Sequence, residues 1–71
     1  MIYNNYSRVR LLTHRFQNEG LNYGALGYII EIYDDDNYEV EFSNEQGVTI
    51  AIIVAKHDEL EVDEPTQRPD V

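Results

Sequence analysis

The segment Tyr38-Glu39-Val40-Glu41-Phe42 alternates apolar and acidic residues without a break. A strand places successive side chains on opposite faces, so Tyr38, Val40 and Phe42 share one face and both glutamates the other. A slip of one residue would bury two carboxylates at several kcal/mol each, so the inward face is settled by five residues. A half-buried antiparallel sheet is the structure that uses such a strand.

The rest of the chain supplies strands of similar length. Val9 and Leu11 alternate with Arg8 and Arg10, which predicts a first strand over 7–13. His14 to Gly27 carries polar residues and three glycines with no helical repeat, and reads as a long loop. The second strand is predicted from Gly27 to Tyr33, with Tyr28, Ile30 and Ile32 on one face and Ile29, Glu31 and Tyr33 on the other. Asp34-Asp35-Asp36-Asn37 and Ser43-Asn44-Glu45-Gln46-Gly47 are turn chemistry on either side of the third strand. Thr49 to Ala55 is apolar at nearly every position, so its faces cannot be separated by pattern. It is either buried on both sides or an exposed apolar strip. Glu59 to Val62 forms a short last strand with Leu60 and Val62 inward. Residues 63–71 hold two prolines and no apolar run, and are expected to be a disordered tail.

Five short strands, a long loop after the first and tight turns between the middle three describe an all-β fold. The expected form is a small SH3-like five-stranded barrel over residues 1–62, which also removes exposed sheet edges. The alternative is an open antiparallel sheet that dimerises through an unpaired edge.

The chain has 71 residues, enough for one domain. It contains no cysteine, which removes disulfides and thiolate metal sites and fits a reducing compartment. The first residues lack a signal-peptide pattern, and Ile50 to Ala55, the longest apolar run, is too short to span a bilayer. The expectation is a soluble cytoplasmic protein. Fourteen acidic residues against five basic ones give a net charge of −9. Nucleic acid and anionic membrane need clustered Lys and Arg, so both are poor partners. A basic protein surface is a better one.

The order Arg8-Val9-Arg10-Leu11-Leu12, Gly24-Ala25-Leu26-Gly27-Tyr28-Ile29-Ile30-Glu31, Tyr38-Glu39-Val40-Glu41-Phe42 and Gly47-Val48-Thr49-Ile50-Ala51 resembles a functionally uncharacterised bacterial family of short SH3-like domains, often found in cyanobacteria. Gly24, Gly27, Glu31, Tyr38, Val40, Glu41, Phe42, Gly47, Thr49 and Ala51 occupy its motif positions, and the resemblance runs from Ser7 to Val62. The resemblance implies a fold and little chemistry, since the family has no established activity. A subunit or antitoxin-like role beside a partner gene is the kind of function it allows.

Motifs that mimic chemistry have structural explanations. Gly24-Ala25-Leu26-Gly27 has the GxxG spacing of a nucleic-acid clamp, but its flanks are extended and its nearest charges are Glu19 and Glu31. Gly24 instead permits the loop's exit, and Gly27 a close backbone approach or a bulge. The acidic turn fails the EF-hand pattern: counting from Asp34, the sixth position, where glycine is required, is Glu39, no helices flank the turn, and the glutamate at the twelfth, Glu45, falls there by chance. His14 and His57 have no adjacent nucleophile, so neither catalysis, a metal nor a cofactor is expected.

The interaction surface is expected on the charged sheet face. Pairing of the first and last strands sets Arg8 and Arg10 opposite Glu59 and Glu61, leaving Glu31, Glu39 and Glu41 as an unneutralised acidic group. Around the long loop lie Tyr3, Tyr6, Phe16 and Tyr23, of which Phe16 and Tyr23 are candidate apolar anchors. The expected function is a small acidic protein-interaction module that binds a basic partner protein and is not an enzyme. The alternative is an enzyme accessory or ligand-binding barrel that recognises a small cation or metabolite. Charge recognition weakens with salt, whereas a small apolar pocket does not.

Overall fold

The computed structural model describes residues 3–63. It contains five strands, β1 (Arg8–Leu11), β2 (Leu26–Ile32), β3 (Asn37–Ser43), β4 (Thr49–Lys56) and β5 (Leu60–Val62). Two single 3₁₀ turns, Gln17–Glu19 and His57–Glu59, complete the elements, and the described residues include no α-helix. Every pairing is antiparallel, in the order β4-β3-β2-β1-β5. None of the described elements is a helix long and apolar enough to cross a membrane.

The sheet is strongly curled. Strands β4 and β5 are its two edges, yet only the turn His57–Glu59 separates them in the chain. Three residues of 3₁₀ helix advance about 6 Å. The edges of a flat five-stranded sheet lie roughly 19 Å apart. The curl brings the edges together at this end without hydrogen-bonding them, so the barrel is open along one seam. Its interior is one core, to which Val9 and Leu11, Ile29, the β3 triad, Ile53 and Ala55, and Leu60 contribute from the five strands. Phe16 and Leu21 close it from the long loop.

On β3 the expected alternation holds: Tyr38, Val40 and Phe42 are buried, while Glu39 and Glu41 face out. Their partners on β4 follow from volume. Tyr38 is registered with Ala55, Val40 with Ile53 and Phe42 with Ala51, so each large ring meets a small side chain. Ile50, Ile52 and Val54 are therefore turned outward, between 45% and 51% exposed. The apolar run of β4 is an exposed strip on an edge strand.

The expected faces of β2 are corrected, and the inward position of Val62 on β5 proves only partly covered. On β2, Tyr28 and Ile29 pair with Glu41 and Val40, but Glu31 and Ile32 pair with Glu39 and Tyr38, so Ile30 is an unpaired bulge. Ile29 is buried and Tyr28 exposed, the reverse of strict alternation through Ile30. On β5, Val62 shares the inward side of its register partner Val9 but, at the end of a three-residue edge strand, is 42% exposed.

Asp63, assigned by sequence to the tail, still belongs to the sheet: its N–H donates to the Arg8 carbonyl at 2.8 Å, and Arg8 Nε donates to its carbonyl at 2.7 Å. The remainder of the expected tail, 64–71, lies outside the described residues.

Gly27 occupies an inward position where β3 crosses closely. A Cβ there would meet the Glu41 carbonyl oxygen and two Phe42 ring carbons, all at 2.8 Å. Gly27→Ala is expected to destabilise the fold by about 1–3 kcal/mol in urea unfolding. A wild-type midpoint in this variant would contradict the packing described here.

Candidate functional site

The outer face of β2, β3 and β4 is built from two registered rows. Tyr28, Glu41 and Ile52 form one, and Glu31, Glu39 and Val54 the other. The bulge decides this arrangement. With Ile29 inward, regular pairing would turn Glu31 into the core; skipping Ile30 returns it to solvent opposite Glu39. Two carboxylates then oppose each other directly, an arrangement that opposes folding.

Each β3 glutamate has one hydroxyl donor. Tyr33 donates to Glu39 and Thr49 to Glu41. The hydrogen bond to Glu39 pushes the Tyr33 phenol above its ordinary value. The two arginines of β1 lie on this same outer face, toward the β5 edge of the sheet, and are engaged there. Arg10 bridges Glu61 at 3.7 Å and also bonds Asp63, while Arg8 extends the first row beyond Tyr28 and is tied to Asp63 at 3.6 Å. Lys56 stands in the next row, opposite Asn37.

The expected pairing of Arg8 and Arg10 with Glu59 and Glu61 holds for Arg10 and Glu61 only. The turn His57–Glu59 takes Glu59 out of the strand, so Arg8 meets Asp63 and Glu59 meets Arg15. Arg15 Nε and Nη2 both donate to the Glu59 carboxylate at 2.8 Å, and the Lys56 N–H adds a bond at 2.9 Å. This fork ties the long loop to the turn between the edge strands.

Among the candidate anchors, Phe16 is 8% exposed and part of the core, with the Arg15 guanidinium 4.4 Å above its ring. It is not available to a partner. Tyr23 is half exposed and packs on His14, at 5.1 Å between ring centres. It precedes β2, whereas Glu31 is near the far end of that strand, roughly 17 Å along it from Leu26. The structure thus unites Glu31, Glu39 and Glu41 and leaves Phe16 and Tyr23 apart from them. Sequence reasoning missed Tyr28, Ile52 and Val54; their signal was the spacing of Ala51 and Ala55, interpretable only once the register to Tyr38 and Phe42 is known.

A second feature lies at the β2–β3 turn. A cavity of about 430 Å³ is lined by Asp35, Asp36, Asn37, Lys56, His57 and Asp58. Behind it the His57 ring stacks on Tyr3 at 4.5 Å and lies 3.3 Å from the Tyr38 hydroxyl. Burial pushes the Tyr3 phenol upward. Among the described residues, no group of three or more His, Asp or Glu side chains is arranged to hold a metal.

Comparison with known families assigns the chain. A family model described as a domain of unknown function, DUF4926, matches residues 6–62. The chain belongs to DUF4926. The matched segment begins in the turn before β1 and ends with β5, so the DUF4926 unit comprises the whole curled sheet and both acidic rows. No curated protein and no solved structure matches the chain.

Two outcomes test these electrostatics. Glu31→Gln is expected to raise stability by about 0.5 kcal/mol at low salt, with the gain vanishing near 1 M salt. An unchanged or lowered midpoint would contradict the direct Glu31–Glu39 opposition. The second concerns Glu59, whose carboxyl the Arg15 hydrogen bonds hold at about 2, against an ordinary 4.5. A depressed carboxyl stabilises the fold fully above pH 4.5, and that contribution is lost as pH falls toward 2. With Arg15 half exposed, the loss is on the order of 1–2 kcal/mol. Arg15→Ala is expected to flatten stability across this window, and an equally steep decline would show that other groups carry it.

Proposed function

We propose that this protein is a non-enzymatic, acidic interaction module of the bacterial cytoplasm, built on an SH3-like barrel, that binds a basic surface of a partner protein. Its concrete form is a subunit or an antitoxin-like protein beside its target. The strand order β4-β3-β2-β1-β5 and the long loop after β1 support the SH3-like reading. The observation that carries the function is the outer face itself, where Glu31, Glu39 and Glu41 alternate with the exposed apolar side chains of Tyr28, Ile52 and Val54. Acidic heads beside apolar surface suit Lys and Arg, whose alkyl stems lie on the apolar side chains while their charged ends meet carboxylates.

A second reading, recognition of a small organic cation or metabolite, rests on the cavity lined by Asp35, Asp36 and Asp58. Capture experiments separate the two. Tagged wild-type protein is expected to retain one stoichiometric basic protein from its native lysate at low salt and to lose it at high salt. A variant carrying Glu31→Gln, Glu39→Gln and Glu41→Gln is expected to lose it at both. Retention by the triple variant, or an empty eluate from wild type at low salt, would overturn the acidic-face reading. Loss on Asp36→Asn alone would transfer the function to the cavity.

A further inference from the structure

Strand β4 has a neighbour on only one side. It pairs with β3 and ends the sheet, so its other edge carries backbone N–H and C=O groups that no described strand bonds. Native edge strands are normally blunted by prolines, inward charges or a covering segment. The sequence Thr49–Lys56 has no proline and no charge before Lys56. Ile50 is skipped in the pairing and bends the start of the strand, but Ala51–Lys56 is regular. Among the described residues, Arg15 Nη2 touches the edge groups, donating to the Val54 carbonyl at 3.4 Å.

We infer that β4 is a docking edge and that its occupant is an extended, basic segment of the partner protein, added as a sixth strand antiparallel or parallel to β4. This rests on the acidic-face reading and specifies how the partner engages it. Main-chain hydrogen bonds to β4 supply register, and alternate side chains supply specificity. Glu41 is registered with Ile52 and Glu39 with Val54. A Lys or Arg of the added strand facing outward beside Ile52 or Val54 lays its stem on that side chain. Its charged end then approaches the glutamate one strand further in, about 9–10 Å away between backbones. Charge selects this occupant over a second copy of the chain, which would bring another net −9 against the same acidic rows.

The test uses the whole 71-residue, isotope-labelled chain and two capped synthetic heptapeptides of alternating Lys and Val, one unmodified and one N-methylated at every residue. The charge is the same, but the methylated peptide cannot donate along either edge. The unmodified peptide is expected to slow amide exchange in Ala51–Lys56 and to bind roughly tenfold more tightly than the methylated one, the effect of one or two lost hydrogen bonds. Equal binding without β4 protection would overturn the docking edge while leaving the acidic-face reading intact, provided the triple Gln variant binds neither. Failure of both peptides to bind at low salt would overturn edge and face together. Protection of β4 that grows with protein concentration in the absence of peptide would assign the edge to a second copy and overturn the basic-strand occupant.

Discussion

Everything in this structure depends on the inward face of β3. Tyr38, Val40 and Phe42 are all buried, and β3 is paired with β4 from Asn37 to Ser43 and with β2 from Tyr38 to Glu41. Two aromatic rings projecting into so small an interior leave room only for small partners, hence Ala51 and Ala55 opposite them and Gly27 where β2 passes Phe42. The β4 strand then has to present its larger side chains to solvent. The exposed apolar strip is a consequence of core volume, and the outward glutamates of β3 are a consequence of the same alternation.

What could be read from residues alone follows the same logic. The alternation of β3, the acidic turn and the five-strand count were legible because each is a local pattern. The faces of β2 were not, since a bulge at Ile30 is compatible with any sequence whose next residues tolerate either face. It was Glu31, costly to bury, that selected the bulge. The faces of β4 required cross-strand volumes that only register supplies. Arg8 found Asp63 because a 3₁₀ turn removed Glu59 from the last strand. Phe16 was indistinguishable from a surface aromatic until its loop folded back beneath Arg15. Of the expected site, the acidic triad was legible and its apolar neighbours were not.

The outer face runs against what stability alone would favour. A chain of this size has little free energy to spare. It nevertheless sets Glu31 directly opposite Glu39 and leaves Ile50, Ile52 and Val54 exposed on an edge strand. Contiguous apolar surface rimmed by charge is a feature of interaction sites, and both parts here derive from one register. The Arg15–Glu59 fork, by contrast, lies at the seam between β4 and β5 and holds the curl together.

That register is the point on which the rest turns, and cross-strand proton contacts measured by NMR read it directly. The expected result is Ile29 facing Val40 and Glu31 facing Glu39, with Ile30 unpaired. A continuous ladder, with Ile30 facing Glu39 and Glu31 turned toward the core beside Tyr38, would dismantle the acidic row and contradict the account.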